Sequence, residues 1–295
     1  SHAHGQGYAD LHYLIPETVD LVHFGKGPYH THYGNLATAG YVGFQSRNRL
    51  EESTIALELG QFNTFRGLGM INLLNQNSEV KTQNAYIAGE YLSTDGYFES
   101  PQNFKRLSLF GKYNASLGKN HFLTGSLSTF SSSWDASGQI PLRAVESGEI
   151  GFFGAIDDTE GGLTSRSNAN LQLNSTINNH SFLKNQVFYN RYDFELYSNF
   201  TFFLEDSING DQIKQKESRN LFGYNGSYNR NDMLGGIGLQ TEIGLQYRQD
   251  MSNDNELSHT ANKTLIIERL AFGDIREANA GVYVNETFRF SENVS

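Results

Sequence analysis

Residues 19–47 read V-D-L-V-H-F-G-K-G-P-Y-H-T-H-Y-G-N-L-A-T-A-G-Y-V-G-F-Q-S-R, and the reading of the whole chain starts from them. A short alternating run, Val19 and Leu21, leads into Gly25-Lys26-Gly27-Pro28. Glycine beside proline marks a sharp reversal, since proline fixes φ and glycine accepts positive φ. Tyr33-Gly34-Asn35 follows, then Gly40 and a second β-rich run, Tyr41-Val42-Gly43-Phe44. On local chemistry alone this is strand, turn, compact loop, strand.

Composition bounds what lies beyond it. The 295 residues include 30 glycines, 16 tyrosines and 21 phenylalanines but only 4 prolines and no cysteine. Scarce proline permits long, continuous strands, because proline removes ladder donors. Without cysteine there is no disulfide and no thiolate metal site. A net charge of −10 and the lack of any basic run argue against a nucleic-acid surface. Mean hydropathy is −0.49. No apolar run approaches the roughly 18 residues of a transmembrane helix, a test that strands escape because they alternate and average out polar.

That alternation recurs along the chain. Ile55, Leu57 and Leu59 fall on one side of 53–59. Leu107, Leu109, Gly111 and Tyr113 oppose Arg106, Ser108, Lys112 and Asn114. Leu123, Gly125 and Leu127 oppose Thr124, Ser126 and Ser128. Ala169, Leu171 and Leu173 alternate with Asn168, Asn170, Gln172 and Asn174. Leu239, Ile243, Leu245 and Tyr247 alternate with Gln240, Glu242, Gln246 and Arg248. A period of two gives each strand one apolar and one polar face. With noisier stretches at 66–76, 83–93, 182–196, 217–229 and 276–290, roughly ten strands are expected. The polar faces are rich in Asn, Gln, Ser and Thr, as a wet interior requires.

Connection lengths also alternate. Tight ones are expected near Leu117–Asn120, Ile177–His180 and Asn231–Gly235, and long ones at Ser93–Asn103, Ser131–Gly161, Tyr197–Lys216 and Asp250–Asp274. Outer-membrane barrels have short turns at one end and long loops at the other, and a soluble meander has no reason to obey that parity.

At this point the chain resembles the TonB-dependent outer-membrane receptors. The order strand, (R/K)-G-P, Y-G, G-Y-V, strand in 19–47 is similar to the end of their plug domain, and 4–17, ending in Ile15-Pro16-Glu17, is similar to the plug's ligand-facing loop and the turn after it. The resemblance implies an all-β fold: part of an antiparallel up-and-down transmembrane β-barrel, about ten strands of a larger one, with the C-terminal part of a mixed α/β plug. It divides the chain into 1–47, plug, and 48–295, barrel, near the charged cluster 47–52. Ten strands do not close around a plug, so the plug's start and the remaining strands are expected outside this segment.

The same resemblance implies TonB-energised uptake of a scarce ligand, such as an iron chelate (siderophore) or cobalamin, across a Gram-negative outer membrane. The partners are then the TonB complex, a small nutrient ligand and outer-membrane lipid, with no nucleic acid. It points to His2, His4, Gln6 and Tyr8 in the plug loop, and to Trp134 and Arg143 in an external loop, as ligand contacts. Lys26, Gly27, Pro28, Tyr33 and Gly34 form the structural plug motif. Many relatives carry Arg where Lys26 stands, and Lys lacks the bidentate fork, so its pairing with an acidic interior residue is expected to be looser.

Other chemistry has little support. Six of nine histidines lie in the first 32 residues, yet pairs such as His2/His4 and His30/His32 lack the further ligands that complete a zinc site, so no metal site is assigned. Asp157-Asp158-Thr159-Glu160 lacks the spacing of a calcium loop and reads as a solvated turn. No nucleophile elbow, zinc-protease helix, P-loop or dinucleotide fingerprint is present, so no catalytic residue and no cofactor is assigned. Two rival readings remain: a non-energised barrel (porin or adhesin), and a soluble β-sheet binding protein.

Overall fold

The computed structural model describes residues 11–34, 37–78 and 81–290. The α/β character expected of the plug is not visible in them. Residues 11–50 hold two short 3₁₀ turns, Pro16–Thr18 and Thr31–Tyr33, and one antiparallel hairpin of β1 (Val19–Lys26) and β2 (Gly40–Ser46). The reversal falls where Gly27 and Pro28 place it: Gly27 has φ +79°. Gly40 has φ +143°, and a Cβ there would lie 2.2 Å from the Gly25 carbonyl oxygen, so no other residue fits.

Everything after residue 53 is one ten-stranded antiparallel sheet in strict sequence order: β3 (Thr54–Gly60), β4 (Thr64–Asn77), β5 (Thr82–Thr94), β6 (Phe104–Leu117), β7 (His121–Ala136), β8 (Glu160–Asn178), β9 (Ser181–Ser198), β10 (Ile213–Leu234), β11 (Ile237–Ala261) and β12 (Leu265–Arg289). The sheet is open, with β3 and β12 as its edges. The strands lengthen along it, from 7 residues in β3 to 25 in β11 and β12. A tilted strand needs only about 9–11 residues to cross a bilayer.

The two faces differ as the alternation requires. One carries bare aliphatic groups, with Leu57 73 %, Leu127 66 % and Val282 75 % exposed. On the other, Tyr86, Glu90 and Ser108 are each 1 % exposed. A soluble sandwich would bury its apolar faces against each other; here they point away from the rest of the chain. Tyr91, Tyr189 and Tyr247 stand on the outward face, and ring-plus-hydroxyl side chains suit a membrane interface.

The longer connections all fall at one end, but that end also holds two tight reversals, 61–63 and 262–264, so the expected alternation of lengths is not strict. At the opposite end the described turns are short: 118–120, 179–180 and 235–236. Gly235 and Gly236, with φ +58° and +87°, form a two-residue turn of the kind that matches strand twist. At the long-loop end lie 95–103, 137–159 and 199–212, with α1 (Leu142–Glu146) inside the second.

Two expected loops are corrected. Asp250–Asp274 is not a loop; β11 and β12 continue through it and reverse at Asn262 and Lys263, with φ 53° and 61°. Ser131–Gly161 is shorter than expected, because β7 runs on to Ala136 and β8 begins at Glu160. The β7 and β11 extensions are mostly polar strand, whereas the β12 arm opposite β11 carries exposed Leu265, Ile266, Leu270 and Phe272.

Candidate functional site

The site is built where residues 11–50 sit on the sheet's polar face. A small apolar cluster seats them: Ile15 and Leu50 pack with Leu68 and Met70 of β4 and Tyr86 and Ala88 of β5. Beside it lies a charge network. Arg66 of β4 donates from Nη2 to both carboxylate oxygens of Glu17, at 2.7 and 2.8 Å, and from Nη1 to Glu58 at 2.6 Å. Its Nε donates to Glu90 Oε2 at 2.8 Å. Arg106 of β6 pairs with the other oxygen of Glu90. The Glu90 side chain is wholly buried, and a guanidinium group pairs with each of its carboxylate oxygens.

Further tethers reach the backbone of the segment. Tyr86 Oη donates to the Arg47 carbonyl at 2.9 Å, Lys112 Nζ to the Ser46 carbonyl at 2.9 Å and Asn114 Nδ2 to the Asn48 carbonyl at 2.6 Å. Across the sheet, Gln246 of β11 donates to the His32 carbonyl at 2.5 Å. Four carbonyls of the segment thus find their donors in the wall.

At its start, Arg166 of β8 lies 4.4 Å from the centroid of the Tyr13 ring, which also packs near Phe130 at 6.4 Å. His12 packs on Phe104 at 5.8 Å. Toward the hairpin tip, Tyr33 stacks on Tyr41 at 3.8 Å, and His30 and His32 meet edge-to-face at 6.1 Å. Burial pushes the His32 imidazole below its ordinary range.

The loop end is ordered by carboxylates that accept from the protein itself. Asp157 accepts from the Thr159 N–H at 2.9 Å, Asn199 Nδ2 at 2.9 Å and Gln212 Nε2 at 3.2 Å. Burial alone would raise its pKa, but these donors win and hold it below the ordinary carboxylate value. Asp211 accepts from the N–H groups of Leu204, Glu205 and Asp206. Asp206 accepts from the N–H groups of Ile208 and Asn209, which depress it to about 2. The loops 95–103, 137–159 and 199–212 together carry nine carboxylates against one arginine, Arg143. Among the described residues no group of three His, Cys, Asp or Glu could hold a metal ion.

The sequence-predicted site residues fare as follows. His2, His4, Gln6 and Tyr8 lie outside the described residues. Trp134 is a β7 residue rather than a loop residue; it faces inward with Phe130, and its ring covers Gly162 of β8, where a Cβ would lie 2.9 Å from it. Arg143 is exposed in α1, and no hydrogen bond, ion pair or ring contact joins it to Trp134. Lys26 forms no ion pair among the described residues and ends β1 opposite Gly40. Sequence reasoning missed the Arg66–Glu90–Arg106 network. Its signal was present: three charges at inward positions of neighbouring strands.

No protein-family model and no curated protein matches the chain. Solved structures do match. The ferric-catecholate import receptor Fiu of E. coli K12, in its open form, aligns with TM-score 0.70 at 14 % identity, over 93 % of this chain and 48 % of that one. The siderophore receptor PirA of Acinetobacter baumannii aligns with TM-score 0.68 at 14 % identity, over 96 % and 43 %. The copper transporter OprC aligns with TM-score 0.64 at 15 % identity, over 95 % and 42 %. These are TonB-dependent receptors, and the chain has their fold while spanning less than half the length of each.

Proposed function

We propose that the chain is part of an outer-membrane receptor of a Gram-negative bacterium that takes up a scarce ligand under TonB energy. Residues 1–47 act as the C-terminal part of its plug and 48–295 as the N-terminal portion of its barrel. The ligand is a small nutrient such as a metal chelate or cobalamin, met at the loop end and at the plug loop before Leu11. The protein binds and moves its cargo and catalyses no reaction on it.

One observation carries the reading: a sheet with a bare aliphatic outer face holds a folded segment of its own chain on its polar inner face, bound by the Ile15/Leu50 cluster and the Glu17–Arg66 pair. A porin would leave that space to solvent. In this reading Glu17, Arg66 and Glu90 hold the plug to the wall, Tyr13 and Arg166 mark its ligand side, and Trp134 lines the vestibule above. His2, His4, Gln6, Tyr8 and Arg143 remain its proposed ligand contacts.

The test is growth of a strain lacking the full-length protein on a panel of single iron chelates and cobalamin at limiting concentration. The expected result is a defect on one of them, restored by the full-length gene and not by one deleted for residues 1–47. Normal growth on every scarce nutrient, or rescue by the deleted form, removes energised uptake.

A further inference from the structure

The outward face of β4–β9 is not evenly studded. It contains two adjoining apolar hollows of about 600 and 590 Å³. Ile87, Gly111, Leu127, Ala169 and Tyr189 line both, so they form one continuous depression. It exists because outward positions 69, 111 and 125 are glycine. Nothing in the backbone requires glycine there. None has the positive φ that favours it, a Cβ at Gly69 would meet nothing within 4 Å, and the nearest atoms at Gly111 and Gly125 stand 3.8 and 3.6 Å away. A glycine inside a strand weakens it, so three that neither geometry nor packing demands leave room for something else.

The polarity of the surroundings identifies what. On the loop-end side a smaller hollow of about 240 Å³ adjoins the depression, lined by Tyr91, Lys105, Leu107, Ser131 and Ser133. Lys105 faces outward at the start of β6, opposite Ser133 and Ser93, and forms no ion pair among the described residues. The wall thus offers a cation with hydroxyls beside it, then an aromatic, then an apolar trench. Lys105 stands eight residues before Tyr113 at the trench's far end, roughly 27 Å along a strand and about 20 Å across a tilted one. That span matches a headgroup plus half of a hydrocarbon core of about 30 Å.

We infer that this face is a binding site for a single net-anionic, phosphate-bearing membrane lipid of the loop-side leaflet, its phosphate on Lys105 and one acyl chain in the Gly69–Gly111–Gly125 trench. The inference rests on the reading that β3–β12 cross a membrane. A lone phosphate has no use for the trench, and a zwitterionic lipid gains less from the lysine.

The test uses the full-length receptor purified from outer membranes in mild detergent, with lipid A as the probe and phosphatidylcholine and inorganic phosphate as controls, read by native mass spectrometry and by titration. The expected result is one lipid A per receptor, displaced by neither control. Lys105→Glu is expected to weaken it about tenfold, as the loss of one charge-assisted bond implies. Gly69→Leu and Gly111→Leu, whose added Cβ atoms meet nothing closer than 3.8 Å, put side chains into the trench and are expected to weaken it with Lys105 intact. Equal lipid A on the wild type and on variants that keep the heat-shifted gel mobility of a folded barrel overturns the site. So does displacement by phosphate alone, or a lipid-free dimer that Gly111→Leu disperses. A chain recovered soluble without detergent instead removes the membrane reading itself, so the two failures are told apart.

Discussion

Arg66 is the residue on which most of the seat depends, because it answers three carboxylates at once: Glu17, Glu58 and the buried Glu90. Replacing it by alanine leaves Glu90 with Arg106 alone and frees Glu17. Removing one partner of a buried pair costs roughly 3–5 kcal/mol. Arg66→Ala is therefore expected to lower the urea midpoint of the detergent-folded protein and to speed hydrogen exchange over 15–26; unchanged exchange there would show that the apolar cluster alone holds the segment. Asp157 is the corresponding residue of the loops. Its folded pKa lies below the ordinary 3.8, so its contribution is fully present above that value and fades as pH falls through the folded one. Asp157→Ala strands the buried Asn199 amide without its acceptor and leaves Gln212 Nε2 with Thr159 alone, at about 2 kcal/mol, and tryptic cleavage at Arg143 should quicken roughly thirtyfold at neutral pH. Acidifying the wild type below pH 3.8 should loosen the same loop, followed by an acid-tolerant protease. A cleavage rate indifferent to both changes would show that Asp157 does not anchor it.

Among the elements, the β11–β12 hairpin is the most instructive. Each arm has 25 residues, more than twice what a bilayer crossing uses, so in the proposed membrane setting its tip at Asn262–Thr264 stands well clear of the lipid on the loop side. The absence of cysteine gives a clean test of sidedness. Asn262→Cys and Ile208→Cys should react with a membrane-impermeant maleimide on intact cells, whereas Lys119→Cys, in a tight turn, should react only after permeabilisation. The reverse pattern would invert the topology. The hairpin also shows where sequence reading fails. Alternation was legible in Leu107/Leu109/Tyr113 and Ile243/Leu245/Tyr247 because one face of those stretches meets an apolar medium. In Ser252-Asn253-Asp254-Asn255-Glu256 both faces carry polar side chains, although Ser252 and Glu256 are buried. The period of two therefore carries no information there, and bulges shift the register, so the strand reads as a loop. Trp134 was misplaced for the same reason. The inner charge network was illegible for another: alternation tells which face a charge is on, not that Arg66, Glu90 and Arg106 share one height across three strands.

For the whole molecule, the decisive property is that its greasy surface is outside. Outward and inward substitutions one residue apart should differ in kind. Leu127→Arg places a cation on the apolar face and is expected to cost roughly 2–4 kcal/mol in folding into lipid vesicles, while Ser126→Arg, on the wet face, should cost far less. Equal costs in a urea titration would mean that lipid does not cover that face.

The loop rim draws one more consequence. With nine carboxylates facing one arginine, this arc of the mouth is a source of negative potential. An anionic chelate drifting in over it climbs a Coulomb slope, and a cationic one descends it. Screening lengths run from about 8 Å in physiological salt to roughly 30 Å in dilute buffer, so thinning the buffer slows the first visitor's arrival and hastens the second's, while how long either stays barely changes.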